Sequence, residues 1–339
     1  MFADLRLGLV GCGQVAALGY LPALRRARGL RLTAVADPVQ SRCRELAPAV
    51  PAYSDARSMI TAGVVDAIVF ATPAATHLTD ARQAAAAGLP ALVEKPPALN
   101  AEDAAALARL NPRPFVGFNR RFDPLLQRLR AAIPAAGSLS LSLDLHYEAG
   151  AWRPHMVDDD ALLSVGTHVI DLARWLTNGD VRRVRARRLT PTRAEIELDL
   201  ARGTAHVSCA TDQPRRDRIA VTNASGQVVA HHDGVGLTSK SLALWTMVRD
   251  SRLRRLIHPV SRTLLVRLLI QELESFATAC ADRSRGTDHQ SSSLATAFDG
   301  LAVMRVVDAA RRSAREDGSW QSLPSGASDQ PSSVAVGSR

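Results

Sequence analysis

The sequence contains almost no lysine: Lys95 and Lys240 are its only lysines among 42 basic residues, and the rest are arginine. With 33 acidic residues the net charge is +9, which suits either an anionic partner or arginines scattered over solvated surfaces. The densest basic stretches, 182–188 and 249–262, are interleaved with aliphatic rather than aromatic residues. Because bases of single-stranded nucleic acid stack on aromatic side chains, we favour scattered arginines and expect no nucleic-acid partner.

Other absences bear on compartment and class. The four cysteines stand far apart, with neither a CxxC pair nor the spacing of metal ligands. We interpret them as thiols in a reducing compartment and expect no metal site. No apolar run approaches the ~20 residues that cross a bilayer, and the first residues lack the charged head and apolar stretch of a signal peptide. We therefore expect a cytoplasmic protein with no membrane partner.

The length of 339 residues exceeds the roughly 250 to 300 at which one hydrophobic core usually divides, so we expect two domains. Up to about residue 118, apolar runs alternate with helical patterns, which predicts a doubly wound parallel sheet in an α/β domain. The predicted strands are Leu5–Val10, Leu30–Ala36, Ala67–Ala71, Ala91–Glu94 and Phe115–Phe118. The predicted helices are Val15–Arg26, Thr76–Ala87 and Glu102–Leu110.

Beyond about residue 120 the pattern changes to consecutive strands. Leucines alternate with other residues from Leu139 to Leu145, as in a strand with one buried face. Further predicted strands are Val181–Leu189, Ala194–Leu200, Thr204–Ala210, Arg218–Thr222 and Gln227–His231, with helices at Ala161–Leu176, Thr263–Ala281 and Leu294–Arg315. This predicts an α+β domain on a mostly antiparallel sheet at residues 120–317, after a first domain at 1–119. Residues 318–339, rich in Ser, Gly and Pro, are predicted to be a disordered tail.

A glycine-rich turn stands where the first predicted strand meets the first predicted helix, at Gly11-Cys12-Gly13-Gln14-Val15-Ala16. Gly11 permits the tight turn, Gly13 lets the backbone approach a pyrophosphate, and Ala16 lets helix and strand pack closely. The helix start at Gln14 and Val15 offers free N–H groups and a positive dipole end to phosphates. Placed between a strand and a helix, this turn predicts a dinucleotide site in a Rossmann domain.

Asp37 follows the second predicted strand, roughly 20 residues past the glycine turn. A carboxylate there can accept hydrogen bonds from the ribose hydroxyls of the adenosine half, whereas a 2′-phosphate would set like charges together. The sequence therefore favours NAD over NADP. Arg42 lies nearby and leaves NADP open as the alternative.

Four further motifs follow in order: Ala71-Thr72-Pro73-Ala74-Ala75-Thr76-His77, Val93-Glu94-Lys95-Pro96-Pro97, Val116-Gly117-Phe118-Asn119-Arg120-Arg121-Phe122 and Gly166-Thr167-His168-Val169-Ile170-Asp171. With this ordered set the chain, up to about residue 315, resembles the Gfo/Idh/MocA family of oxidoreductases. The resemblance implies an N-terminal Rossmann domain and a C-terminal domain whose open sheet often joins copies into homo-oligomers. It also implies hydride transfer between a nicotinamide and a sugar or cyclitol carbon.

Lys95 matches the family's active-site lysine through the Glu-Lys-Pro motif. An ammonium can stabilise alkoxide charge as it develops or relay a proton, and it can bind the substrate and border the cofactor. A solvated surface lysine is the ordinary alternative, but a lysine in so arginine-rich a chain suits a role that guanidinium, which keeps its proton, cannot fill. Glu94 is expected to orient the lysine beside the cofactor.

His168 matches the family's general acid/base histidine, and imidazole suits that role because its ordinary pKa lies near neutrality. The alternative is a histidine satisfied within the core. Asp171 shares the same helical face and is expected to fix the histidine tautomer or to bind a substrate hydroxyl.

Ser164 marks a departure from the family, many members of which carry an aspartate four residues before the histidine. Here Asp158-Asp159-Asp160 precedes a serine at that position. A hydroxyl can pass a proton or bind a substrate, but it lacks the charge that raises neighbouring pKa values. Ser164 is a catalytic candidate, and Ser164→Asp should raise turnover if the missing carboxylate limits the rate.

The remaining candidates lie at the ends of predicted strands. Thr72, Pro73 and His77 follow a strand at the edge where open α/β sheets bind ligands, so they are expected to line the cofactor pocket. Arg120 is expected in the substrate cleft and Arg121 is the weaker candidate, with surface exposure as the alternative for both. His231-His232 do not form a metal pair, because adjacent strand residues point to opposite faces.

Three functions remain open at this point. The leading one is an NAD-dependent oxidoreductase acting on a sugar, aminosugar, cyclitol or nucleotide-linked sugar. The second is an NAD-binding sensor that has lost turnover, which Ser164 favours and the retained Lys95 and His168 oppose. The third is a reductase of imines or of a linear tetrapyrrole on the same architecture.

Overall fold

The computed structural model describes residues 4–148, 160–234, 259–284 and 293–324. Its first sheet contains six parallel strands in the order β6-β5-β4-β1-β2-β3. They are β1 (Leu5–Val10), β2 (Leu30–Ala36), β3 (Ala52–Tyr53), β4 (Ala67–Phe70), β5 (Ala91–Glu94) and β6 (Phe115–Gly117). All four residues of β4 and of β5 are buried, as expected of central strands covered on both faces.

Short helices connect these strands. They are α1 (Leu21–Leu24), which continues a π-helical turn at Ala16–Tyr20, α2 (Gln40–Leu46), α3 (Ala56–Thr61), α4 (Ala74–Ala86) and α5 (Ala101–Ala108). Two of them begin at side-chain caps: Asp55 accepts from the Ser58 N–H at 2.7 Å, and Asn100 accepts from the Asp103 N–H at 2.8 Å. Strands and crossover helices together form the predicted doubly wound domain.

A second seven-stranded sheet has the order β12-β11-β7-β10-β9-β8-β14. Its strands are β7 (Leu139–Glu148), β8 (Val181–Leu189), β9 (Arg193–Leu200), β10 (Gly203–Ala210), β11 (Asp212–Asn223), β12 (Val228–Asp233) and β14 (Gln321–Ser322). The pair β7–β10 is parallel and the other pairs are antiparallel. The predicted fold class, a Rossmann sheet followed by a mostly antiparallel sheet, is confirmed.

The helices of this part are α6 (Pro124–Ala132), α7 (Thr167–Thr177), α8 (Pro259–Ser284) and α9 (Ala297–Arg315), and a π-helical turn at Leu162–Gly166 precedes α7. α7 and α9 pack on the apolar face of the second sheet. There Leu139, Leu141 and Leu143 are at most 3% exposed, as their alternation predicts. α9 begins with a reciprocal cap between Thr296 and Asp299.

The chain then returns to the first domain. On α8, Leu269, Leu273 and Phe276 are fully buried in one core with Tyr20. A Cβ at Gly19 would stand 2.6 Å from Leu269 Cδ1, so glycine is what allows α8 to come this close. Strand β13 (Ala295–Thr296) pairs antiparallel with β6 and extends the first sheet. Segments within the predicted second domain thus complete the first.

The predicted tail at 318–339 is partly ordered. Gln321 and Ser322 form β14 at the edge of the second sheet, and the Leu323 N–H donates to the Arg182 carbonyl at 2.8 Å. Strand pairing and contact of Leu323 with the core hold this part in place. Residues 325–339 lie outside the described residues.

Candidate active site

The glycine turn at the end of β1 has the features that a dinucleotide site requires. Gly11 adopts φ +94°, and a Cβ there would lie 2.5 Å from the Ala71 carbonyl oxygen, so only glycine fits. Around Gly13, by contrast, nothing lies within 4 Å of the position that a Cβ would occupy. The backbone at Gly13 is therefore open to close approach, as a pyrophosphate needs.

The helix that follows the turn starts where the sequence predicts. Gln14 is exposed, Val15 is half-buried, and Ala16 is fully buried in the core beside β1. The Ala17 N–H donates to the Gly13 carbonyl at 3.0 Å, which leaves the N–H groups of the preceding residues directed toward the turn. A phosphate group fits this helix start.

Asp37 lies directly beside the glycine turn. Its Oδ2 accepts from the Cys12 N–H at 2.8 Å and its Oδ1 accepts from the Val39 N–H at 2.8 Å, while the residue is 6% exposed. These bonds fix the carboxylate at the end of β2, where it can meet a ribose diol and repel a phosphate. The open backbone at Gly13 and the fixed Asp37 fit NAD.

His77 connects two loops at the carboxyl edge of the sheet. Its Nε2 lies 2.9 Å from the Thr72 carbonyl oxygen and its Nδ1 lies 3.1 Å from that of Pro96. Burial lowers the pKa of His77, which is 1% exposed, and a neutral ring donates to one of these carbonyls at a time. His77 therefore fixes the loops at Thr72 and Pro96, which border the predicted cofactor pocket. Pro73 precedes the first residue of α4.

Lys95 follows β5 and reaches into the second domain. Its Nζ donates to the Ser164 carbonyl oxygen at 2.8 Å. The Ser164 hydroxyl, predicted as a catalytic group, instead donates to the Asp160 carbonyl at 2.9 Å. Ser164 thus meets Lys95 through its main chain. Asp158 and Asp159 lie outside the described residues.

His168, on the first turn of α7, shares this cleft with Lys95. Its Nδ1 is buried without a hydrogen-bond partner among the described residues, and its ring lies edge-on to Phe118 at 6.3 Å between centroids. Burial first, and then the charges of Lys95 and Arg120, lower the pKa of His168 well below its ordinary value. His168 is therefore neutral near neutrality, the form in which imidazole accepts a proton.

Glu94 holds the main chain of Lys95 in place through hydrogen bonds. Its Oε1 accepts from the Tyr20 hydroxyl at 2.8 Å and its Oε2 accepts from the Lys95 N–H at 2.9 Å. Burial raises the pKa of Glu94, and the charge of Lys95 opposes that rise. The carboxyl is 7% exposed, so it orients the turn that carries Lys95 and has little access to the cleft.

Asp171 and Arg121 have partners that the sequence did not indicate. Arg121 donates to both oxygens of Asp171, at 2.8 and 2.5 Å, and also lies 3.2 Å from Asp299. Arg121 is 4% exposed and Asp171 is 1% exposed. Asp171 is thus engaged in an ion pair with Arg121 and does not have the role expected of it beside His168. The alternative of surface exposure for Arg121 is wrong, because its guanidinium is buried between Asp171 and Asp299.

Arg120 pairs with Asp217 on β11, with Nη2 at 2.6 and 2.8 Å from the two carboxylate oxygens. Burial alone would raise the pKa of Asp217, but nearby His232 and Arg120 outweigh burial and hold it well below the ordinary range. His232 Nε2 lies 3.7 Å from the same carboxylate. Because Arg120 and Asp217 also act electrostatically on His168, they border the cleft together.

Sequence reasoning missed three residues at or below the cleft: Tyr20, Asp217 and Glu272. Glu272 left a signal, because it is an acid on the apolar face of α8 formed by Leu269 and Leu273. Tyr20 and Asp217 left none, since their partners are distant in sequence. Within the described residues, no group of three or more His, Cys, Asp or Glu could hold a metal ion. None of the described helices combines the length and apolarity needed to span a bilayer.

Comparisons with known proteins agree with this geometry. Residues 5–113 match the model of the Gfo/Idh/MocA family, described as an oxidoreductase family with an NAD-binding Rossmann fold. The rhizopine catabolism protein MocA of Rhizobium meliloti is 36% identical over 183 residues, which are 51% of this chain and 57% of that protein. The chain thus spans somewhat over half the length of this relative.

Two other similarities extend over nearly the whole chain. Inositol 2-dehydrogenase of Acidothermus cellulolyticus is 28% identical over 95% of this chain and 96% of that protein. The crystal structure of myo-inositol dehydrogenase from Lactobacillus casei in complex with NAD(H) and myo-inositol has a TM-score of 0.74 at 16% identity, covering 95% of this chain and 98% of that one. Residues 5–113, which include the glycine turn, thus match the Gfo/Idh/MocA oxidoreductase family and its NAD-binding Rossmann fold, and the Lactobacillus casei structure shows that the two-sheet fold extends over nearly the whole chain.

Proposed function

We propose that the protein is an NAD-dependent dehydrogenase or reductase that acts on a CH–OH carbon of a cyclitol or sugar. The observation that carries this proposal is the pairing of an ammonium with a neutral imidazole in one cleft. Lys95 is held at the carboxyl edge of the Rossmann sheet by its bond to the Ser164 carbonyl, and its charge lowers the pKa of His168. The imidazole can take a proton from a hydroxyl, and the ammonium can stabilise the negative charge on the oxygen that remains.

NAD bound with its pyrophosphate at the glycine turn would supply, through its nicotinamide, the acceptor or donor of the hydride. The ammonium of Lys95 donates a hydrogen bond to the reacting oxygen and stabilises alkoxide charge. Neutral His168 accepts the hydroxyl proton as the alcohol is oxidised and returns it in the opposite direction. Arg120, neutralised by Asp217, contributes donors to the polar wall of the cleft.

The cofactor preference follows from Asp37. Its carboxylate is fixed beside the turn by the N–H groups of Cys12 and Val39, so a 2′-phosphate would face a charge that cannot swing away. We expect NAD to bind at least about tenfold more tightly than NADP, since like-charge contacts cost several kcal/mol. Calorimetry with both cofactors measures this, and tighter binding of NADP would contradict it.

The substrate class is supported by the relatives, two of which are named as inositol dehydrogenases. The candidates are cyclitols, sugars, aminosugars and nucleotide-linked sugars. The test is a panel of these alcohols and their ketones, with NADH formation or consumption followed by absorbance. Turnover on at least one of them is expected, and activity confined to imines or tetrapyrroles would refute the proposal.

An NAD-binding sensor without turnover is the second candidate. It is favoured by the Ser164 hydroxyl, which is bound to the Asp160 carbonyl and leaves Lys95 facing a neutral main-chain oxygen. Tight cofactor binding without turnover across the whole panel would establish it. Association into a homo-oligomer through the second sheet stays a prediction that light scattering on the full chain would check.

A further inference from the structure

Glu272 is a carboxyl group placed in an apolar core. It lies on α8, is 0% exposed, and neither of its side-chain oxygens has a hydrogen-bond partner among the described residues. Leu269, Leu273 and Phe276 on the same helix share this core with Tyr20. An unpaired polar group at such a depth costs several kcal/mol if it is charged, so its presence requires an explanation.

Glu272 is connected to Lys95 through Tyr20 and Glu94. The charge of Glu272 acts on Tyr20, and the charge of Glu94 acts on Glu272. Tyr20 donates to one oxygen of Glu94, and the other oxygen accepts from the N–H of Lys95. Tyr20 ends the π-helical turn against which α8 packs at Gly19. The π-helical turn, β5 and α8 therefore contribute Tyr20, Glu94 and Glu272 to one network, which reaches the main chain of Lys95.

Charged groups on neighbouring elements face other partners. In the 3₁₀ turn at Asn119–Phe122, Arg120 pairs with Asp217 and Arg121 pairs with Asp171. On α8 itself, Glu274 accepts from the N–H of Arg28, in the loop between α1 and β2, at 3.0 Å.

Within the described part of the chain, Glu94 is the charged group that acts on Glu272. Burial first, and the like charge of Glu94 second, raise the pKa of Glu272 well above its ordinary value. Burial also raises the pKa of Glu94, but Lys95 opposes that rise. The two carboxyls thus differ in their surroundings: Glu94 has a cation and two hydrogen-bond donors beside it, and Glu272 has neither among the described residues.

We propose that Glu272 is a positioning residue that acts on Lys95 through Glu94, by holding a proton so that Glu94 carries the single negative charge of the pair. The proposal rests on the proposed function only in taking Lys95 as the group that meets the substrate. With Glu272 neutral, Glu94 stays charged opposite Lys95 and keeps its two hydrogen bonds. Ionisation of both carboxyls would place two like charges together in an apolar core.

The proton on Glu272 is tested by the pH dependence of stability. A group whose pKa is raised in the folded state stabilises the fold at low pH, and that stability is lost as pH rises above the unfolded value of about 4.3. Thermal unfolding of the full chain with NAD should therefore show Glu272→Gln gaining stability over wild type with rising pH. The gain in folding equilibrium constant is at most about tenfold per pH unit.

The control for this experiment is Glu274→Gln on the same helix, whose difference from wild type should not grow with pH in this way. If Glu272→Gln does not fold, Glu272→Met replaces the carboxyl by an apolar group of similar volume. A difference between the Glu272 variant and wild type that stays constant from about pH 5 to 8 overturns the proposal.

The action on Lys95 can be observed directly, because the chain has two lysines. Protein labelled with ¹³C-lysine gives two lysine side-chain signals by NMR, and Lys240→Arg assigns them. With a proton on Glu272, the single negative charge that favours the ammonium of Lys95 is on Glu94. Glu272→Gln, which is neutral as well, should therefore leave the Lys95 titration unchanged, whereas Glu94→Gln should move it to lower pH, by about one unit.

A Lys95 titration that Glu272→Gln lowers as much as Glu94→Gln does would show a charge on Glu272, and this result overturns the proposal. Neither measurement needs a substrate, so they remain informative if the substrate panel shows no turnover. Failure of the proposed function and failure of this inference are thereby recognised separately.

Discussion

The ammonium of Lys95 donates a 2.8 Å hydrogen bond to the main-chain carbonyl of Ser164, and this bond joins the Rossmann domain to the turn before α7. A carbonyl oxygen at position 164 is present whatever the side chain is. The position of Lys95 therefore depends on the path of the π-helical turn at Leu162–Gly166 more than on the serine hydroxyl.

Ser164→Ala should accordingly change turnover little. The hydroxyl it removes bonds to the carbonyl four residues earlier, a contact of small energetic weight in helices. We expect kcat within about threefold of wild type, since larger losses would require more than about 0.7 kcal/mol of transition-state stabilisation. A fall of a hundredfold would instead identify the hydroxyl as a proton carrier. The companion variant Ser164→Asp tests whether a carboxylate raises turnover.

Lys95→Arg should abolish most activity while leaving NAD binding intact. Guanidinium retains the positive charge but does not give up its proton, and its planar fork cannot reproduce the point contact of an ammonium. We expect kcat to fall by about 10² to 10³, as for loss of one transition-state donor. Steady-state kinetics and calorimetric NAD titration measure the two effects, with Lys240→Arg as the control. Near-wild-type turnover of Lys95→Arg would remove the lysine from the mechanism.

Arg121→Met should destabilise the fold strongly. It leaves the buried carboxylate of Asp171 without its cation, and breaking a buried pair from one side costs about 3 to 5 kcal/mol. The matched control is Arg218→Met, which breaks a solvent-exposed pair with Asp233 and should change stability little. Urea unfolding gives both values. Equal losses in the two variants would mean that the Arg121 pair is not buried as described.

His168 should make the fold sensitive to acid. Its pKa is lowered in the folded state, so the folded protein favours the neutral ring, while an unfolded histidine takes up a proton near pH 6.5. The stability it contributes is present above about pH 6.5 and lost as pH falls through the folded pKa. Thermal unfolding from pH 8 to 5 should therefore favour His168→Gln over wild type increasingly toward low pH. Replacement of exposed His206 by glutamine is the control, and parallel curves for His168→Gln and wild type would contradict the prediction.

The Rossmann half could be predicted because its signals are local. The turn at Gly11 and Gly13 identifies itself by residue type, and the buried apolar runs in β4 (Ala67–Phe70) and in β5 up to Val93 need no knowledge of the rest of the chain. Short elements such as β3 and α3 were missed because two to six residues carry too little periodicity to be distinguished from a loop.

Partners at long separation could not be predicted. Arg121 and Asp171 are 50 positions apart and Arg120 and Asp217 are 97 apart, so their sequence context does not show which arginine is buried. The shared helical face suggested a role for Asp171 beside His168, but Asp171 pairs with Arg121 instead. Helical spacing shows which residues share a face, not what that face meets.

Helix α8 begins 140 positions and strand β13 176 positions after residue 119, where the first domain was predicted to end, yet α8 packs into the core of that domain and β13 pairs with its sheet. A fragment that ends at residue 119 would therefore expose to water the apolar surface around Gly19 that Leu269 covers. It would also leave β6 without its pairing to β13 at the edge of the first sheet. An N-terminal domain produced on its own therefore needs residues 259–296 attached to it, as in a fusion of the two segments.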